Sequence, residues 1–224
     1  GEQGLEQALG CIPDIIVSDI MMPVMNGIVM CRKLKEDLRT SHIPIILLTA
    51  KDSLQDKEEG YQVGADSYLT KPFSATLLHS RIHNLLESRK RLTERFNTST
   101  PHHNMDEKRA LLAESLNKLD NEFIEKINQL IEARLSSEKI DIGYLADNMC
   151  MSKSTLYRKM KALTGLSTNE YVRKIKMQHA ERLLLEGRYN ISEVAFRVGI
   201  NSVVYFRQCF KEEFGVLPSE YLKQ

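Results

Sequence analysis

The chain has 224 residues, 42% of them hydrophobic and 27% charged, which suits two ordinary domains and excludes wholesale disorder. No apolar run nears the roughly 18 residues of a membrane span, no signal peptide is evident, and Cys11, Cys31, Cys150 and Cys209 form no CxxC pair, which argues against zinc or a disulfide framework and for a reducing cytoplasm. The net charge of +1 is split: residues 1–88 carry 8 Lys+Arg against 12 Asp+Glu, and the rest carry 23 against 18, so nucleic acid is expected on the C-terminal side.

Three short β-rich runs come first: Ile15-Ile16-Val17, Ile43-Pro44-Ile45-Ile46-Leu47-Leu48 and Ser67-Tyr68-Leu69-Thr70. Continuous apolarity predicts strands of a parallel sheet buried on both faces. Helical patterns at Gly27–Leu38, Ser53–Val63 and Ser74 to about Arg95 alternate with them, so an α/β layer structure is expected. Residues 97–104, with Pro101 and the pair His102-His103, read as a polar linker. From Asp106 onward the pattern is helical. Leu112, Leu116, Leu119, Phe123, Ile127 and Leu130 recur at steps of three and four, a stripe that packs onto its own domain or pairs with a partner's copy as a coiled coil.

Asp19, Thr49 and Lys71 each fall at or just past the end of a strand. In open α/β sheets those carboxyl ends form the ligand crevice. A carboxylate, a hydroxyl and an ammonium gathered there suit phosphoryl transfer to a carboxylate, with Asp19 as nucleophile and Thr49 and Lys71 on the phosphoryl oxygens. Alone, an Asp at a strand end commonly forms a turn and a Lys-Pro pair is a loop; the combination and its spacing carry the reading.

The run Asp19-Ile20-Met21-Met22-Pro23, with Asn26-Gly27, Thr49-Ala50, Gly64-Ala65-Asp66, Tyr68 and Lys71-Pro72-Phe73, resembles response-regulator receiver domains over residues 1 to about 90. The resemblance implies a flavodoxin-like parallel sheet, Asp19 as phospho-acceptor and Met21 as a Mg²⁺ ligand through its carbonyl beside Asp19. It further implies Thr49 and Tyr68 as a switch pair, Lys71 on the phosphoryl group, and a cis Lys71-Pro72 bond. One departure is large. The chain opens at Gly1-Glu2-Gln3-Gly4, which reads as a receiver's second helix, so the first strand with its acidic pair, the first helix and the second strand have no counterpart. The expectation is a piece of a longer regulator, with Mg²⁺ expected for the complete receiver, an incomplete metal site here, and no phosphorylation of the piece alone. Receiver sheets order their strands 2-1-3-4-5, which would leave Ile15–Asp19 as an edge that associates, most simply in a homodimer.

The last hundred residues repeat themselves. Adding 50 to Leu156, Met160, Lys161, Gly165, Glu170 and Tyr171 lands on Phe206, Phe210, Lys211, Gly215, Glu220 and Tyr221. Each copy reads as a short helix, a turn and a longer helix: Ile142–Met149 then Ser152–Leu163, and Ile191–Val198 then Ser202–Phe214, with Ser152 and Ser202 as N-caps. Thr168–Glu186 reads as one connecting helix. Ala195, Gly199, Tyr205-Phe206, Phe210-Lys211, Phe214-Gly215, Pro218 and Tyr221 resemble the AraC family of helix-turn-helix DNA-binding domains. That resemblance implies base or groove contacts by Ser154, Tyr157 and Arg158, with Lys153 and Lys161 near phosphates. In the second copy it implies Ser202, Val203, Val204, Arg207, Gln208 and Lys211 at the groove; Val203-Val204 departs from the polar residues many members have there and suggests thymine-methyl contacts. Tyr157 equally well packs inward.

The expected organisation is a partial receiver at 1–90, a linker and connecting helix at 91–119, and an all-α DNA-binding domain at 120–224 with helix-turn-helix units at 142–164 and 191–214. The expected function is a DNA-binding transcription regulator, the output part of a two-component phosphorelay. Its expected partners are double-stranded DNA and a histidine kinase on the same or a separate chain, with RNA polymerase as a further one. A cytoplasmic location fits, as a free regulator or the tail of an inner-membrane hybrid sensor. The alternatives are a protein–protein adaptor and a catalytic output, the latter without a phosphate loop, catalytic set or metal-spaced cluster after residue 100 to carry it.

Overall fold

In a computed structural model of the chain, residues 1–50, 63–97, 117–136 and 140–222 are described. The linker expected at 97–104 apart from Asn97, nearly all of the helix expected at Ser53–Val63, and Leu112 and Leu116 of the apolar stripe lie outside these residues. The chain divides into two compact units, one built on Gly1–Arg95 and the other on Asn121–Gln224.

The first unit starts with α1 (Glu2–Cys11), followed by β1 (Ile16–Asp19), α2 (Gly27–Glu36), β2 (Ile45–Thr49), β3 (Ser67–Thr70) and α3 (Ala75–Asn97). The three strands form one parallel sheet in the order β1-β2-β3, with Asp19 opposite Leu48 and Thr49 opposite Thr70. Parallel pairing of consecutive strands requires a crossover each time, and α2 supplies the first. One core gathers Ala8, Ile28, Cys31 and Leu34 against Ile45, Leu47 and Tyr68.

Two expectations change here. The first strand is not buried on both faces: Val17 is 39% exposed, because β1 stands at an edge of the described sheet, whereas β2 in the middle is buried almost throughout. The helix expected to reach Leu38 ends at Glu36. Asp37 turns extended, its carboxylate accepts from the Arg39 backbone N–H at 2.8 Å, and the Thr40 hydroxyl donates to the Leu34 carbonyl at 2.7 Å. Asp competes with helix in this way by offering the backbone a local acceptor.

The second unit is helical among its described residues: α4 (Lys118–Glu132), α5 (Ile142–Asn148), α6 (Lys153–Thr164), α7 (Thr168–Leu185), α8 (Ile191–Arg197), α9 (Val203–Phe214) and α10 (Pro218–Tyr221). The amphipathic stripe of α4 packs onto its own unit. Phe123, Ile127 and Ile131 are fully buried, with Ile131 taking the inward place expected of Leu130. The Tyr171 hydroxyl of α7 donates to Asn128 Oδ1 of α4 at 2.9 Å. Beneath α9, Phe206, Phe210, Phe214 and Tyr221 form an aromatic cluster with centroids 4.5–5.9 Å apart, the spacing at which tilted rings attract. No described helix is long and apolar enough to cross a membrane.

Candidate phosphoacceptor site and nucleic-acid interface

Strand register builds the first site. Asp19 is the last residue of β1, Thr49 the last of β2, and Lys71 follows β3, its N–H donating to the Thr49 carbonyl at 2.7 Å. The three candidates therefore share one end of the sheet. The Lys71 ammonium donates to Asp19 Oδ2, and the Met21 N–H donates to Oδ1 at 3.3 Å. The Lys71 hydrogen bond holds the Asp19 carboxyl below its ordinary value against the opposing effect of burial, and the Met21 N–H adds to it. The result is a carboxylate kept ionised beside one cation, the state a nucleophilic carboxylate needs.

The loop after β1 is shaped around Asp19. A Cβ on Gly27 would fall 2.2 Å from the Asp19 carbonyl oxygen, so only glycine fits there. Asn26 caps α2 by accepting from the Val29 N–H at 2.8 Å. The Asn26-Gly27 pair is thereby explained by packing and capping. Thr49 is 3% exposed and Tyr68 9%, and the Lys71-Pro72 bond is cis. Met21 points its side chain to solvent at 78% exposure, so its backbone is the part that stays by Asp19. Mg²⁺ seeks six oxygens in octahedral array. Asp19, with one oxygen already held by Lys71, and the Met21 carbonyl offer too few, and no group of three or more His, Cys, Asp or Glu converges among the described residues. The described donors do not fit a Mg²⁺ cage.

Capping and burial build the second site. Ser152 accepts from the Thr155 N–H at 3.1 Å and Ser202 from the Tyr205 N–H at 3.2 Å, so α6 and α9 begin at matching places in the two repeats. Gly165 and Gly215 close them with φ of 72° and 78°, a conformation that glycine adopts without strain. Leu156, Met160 and Leu163 point inward from α6; Phe206, Cys209 and Phe210 point inward from α9. The remaining faces are open. Lys153, Ser154, Tyr157, Arg158 and Lys161 are exposed on α6, and Val204, Arg207, Gln208 and Lys211 on α9, with Ser202 exposed at its cap and Val203 half-buried. Tyr157 is 49% exposed and Val204 77%. Tyr157 thus lies on the open face rather than packing inward.

Sequence reasoning missed the cations of α7. Lys174 and Lys176 are only 6% and 5% exposed, although lysines in a helical pattern ordinarily read as a solvated face.

The response-regulator receiver model matches residues 1–83, and a helix-turn-helix model matches residues 145–224. The chain is 36% identical over 222 residues to the histidine kinase P4 of Formosa agariphila, covering 99% of this chain but 16% of that protein. It is 45% identical over 85 residues to the response regulator PleD of Caulobacter vibrioides, covering 38% of this chain and 19% of that protein. The chain thus spans less than a fifth of the length of both relatives. Among solved structures, the C-terminal domain of AraT, a response regulator from Geobacillus stearothermophilus, is 31% identical with a TM-score of 0.42, over 45% of this chain and 84% of that one. The chain belongs to the response-regulator receiver family in its first part and to the AraC-type helix-turn-helix family in its last.

Proposed function

We propose that this chain is the output part of a two-component phosphorelay, a sequence-specific DNA-binding transcription regulator controlled through Asp19. The observation that carries the reading is the pair of matching helices, α6 and α9, each burying one face in the core and turning cations and polar groups outward. An exposed Val204 on such a helix gains a partner in a thymine methyl. Arg158 and Arg207 have the planar fork that reads guanine, while Lys153, Lys161 and Lys211 suit phosphates.

On the receiver side, an Asp19 carboxylate oxygen attacks the phosphorus of a phosphohistidine on the kinase. The P–N bond breaks, its electron pair stays with the imidazole, and an acyl phosphate forms. Lys71 then neutralises a phosphoryl oxygen, and Thr49 and Tyr68 respond as the switch pair. Receivers as a class use Mg²⁺ for this step, and Asp19 and the Met21 carbonyl are the oxygens this chain would contribute to a complete site. The kinase partner, pairing of two copies of the chain, contact with RNA polymerase and a cytoplasmic location belong to the same reading.

Mobility shifts of the chain on DNA selected from a random pool test it. Arg158→Ala is expected to weaken the selected site by about 1–3 kcal/mol and relax its base preference. Lys161→Ala is expected to weaken all sequences alike and lower the salt slope by about one. Equal effects of both changes on selected and random DNA would remove the base-reading assignment.

A further inference from the structure

Three cations near the start of α7 face the second helix-turn-helix unit. Lys176 Nζ donates to the Gly199 carbonyl at 3.3 Å. Gly199 lies in the turn between α8 and α9, at φ 66°, with its own N–H on the Phe196 carbonyl. Lys174 pairs with Glu213 at 3.8 Å, and Arg173 with Glu212 at 3.6 Å. Burial pulls the Arg173 pKa down, while Tyr205, Cys209 and Glu212 nearby push it up, leaving it above its ordinary value. One helix thus contacts the turn before α9 at Gly199 and the last turn of α9 at Glu212 and Glu213.

Stability alone does not account for this arrangement. Burying an ammonium costs free energy that the paired state only about recovers, and an apolar side chain of similar volume commonly serves the fold as well or better. What a directed ammonium adds is location, because each hydrogen bond or ion pair it makes forms only when that acceptor sits within reach. The buried apolar contacts of α9 fix it by shape, and the Lys176 hydrogen bond to one carbonyl and the Lys174–Glu213 ion pair near the far end of the helix add directed contacts at two places, with the half-exposed Arg173–Glu212 pair beside them. Helix α7 has 18 residues, or about 27 Å at 1.5 Å each, so a small rotation of the second unit about its end displaces the outward face of α9.

We infer that Arg173, Lys174 and Lys176 are positioning residues that set the orientation of α9 on α7, and through it the spacing of DNA half-sites the chain accepts. This rests on the DNA-binding reading above. The recognising partner is duplex DNA with two segments presented about one helical turn apart on one face. None of the three need touch a base.

The test uses the whole chain and duplexes selected from a random pool on the wild type, with 0, 1 or 2 base pairs inserted between the two segments it protects. Each inserted pair rotates the second segment by about 35°, and the wild type is expected to lose at least about tenfold in affinity per pair, or about 1.4 kcal/mol. Lys176→Met and Arg173→Gln are expected to reduce the insertion penalty to about threefold or less, while the unfolding midpoint moves little. Lys174→Glu and Glu213→Lys, each relaxed alone, are expected to regain the wild-type penalty when combined. Variants that keep the full wild-type penalty would overturn the inference and leave the DNA-binding reading standing. A Lys176→Met chain unfolded at the assay temperature would also overturn it, by assigning the residue to stability. A wild type that protects no paired segments would overturn the inference and the reading together.

Discussion

Asp19 shows how much a single residue's surroundings decide. Its carboxyl lies below the ordinary value chiefly because Lys71 donates to it. A lowered carboxyl contributes stability above its unfolded value, about 3.9, and loses it as pH falls through the lowered folded value. Lys71→Met is therefore expected to raise the Asp19 midpoint, measured by ¹³C carboxyl titration, towards the ordinary carboxylate range. An unmoved midpoint would mean that Lys71 is not the cause. In the regulator as it occurs in its cell, Asp19→Asn is expected to abolish hydroxylamine-sensitive phosphate labelling and blunt the transcriptional response, and stoichiometric labelling of that variant would place the acceptor elsewhere. Cys150 is a different kind of case. It sits at φ 54° in the turn before α6, where the second repeat has Gly199 at φ 66°. A left-handed conformation costs an L side chain about 1–2 kcal/mol, and Cys150 is exposed, so its side chain fills no core. Cys150→Gly is expected to stabilise the chain by up to about 1 kcal/mol in denaturant unfolding, less the backbone entropy that glycine adds to the unfolded state.

The helices that present reading residues were legible at the level of elements because local chemistry marks both ends. Ser152 and Ser202 cap α6 and α9, and Gly165 and Gly215 close them. Ser152→Ala or Ser202→Ala is expected to cost about 1 kcal/mol in unfolding and to weaken DNA binding through fraying of the turn that carries Ser154 or Val204. No change in either measurement would remove the caps from the account. The spacing of Asp19, Thr49 and Lys71 was legible for a related reason: chemistry at the strand ends fixes residue type, and the parallel register then brings the three together. Other features were not legible. The early end of α2 depends on Asp37 choosing Arg39 over the helix, a competition between two nearly equal local structures. The exposure of Val17 depends on its strand's place in the sheet, which an Ile-Val run does not encode. The buried Lys174 and Lys176 look in the sequence like any solvated helix face, and it is the tertiary fold that brings the Glu213 carboxylate and the Gly199 carbonyl to them.

For the whole molecule, the split of charge, net −4 over residues 1–88 and net +5 over the remainder, suits the proposed roles of the two domains: phosphoryl exchange with a kinase in the first and contact with a polyanion in the second. A five-unit excess is small, so in the proposed function charge brings the second unit to DNA and the exposed Arg158 and Arg207 are assigned the choice of site. The central claim is that both reading helices engage one duplex at once. Hydroxyl-radical footprinting of the chain on its selected DNA tests this most directly. Two protected backbone segments about one helical turn apart are expected, with Arg158→Ala erasing one and Arg207→Ala erasing the other. A single protected segment, or two that fade together in either variant, would contradict the claim.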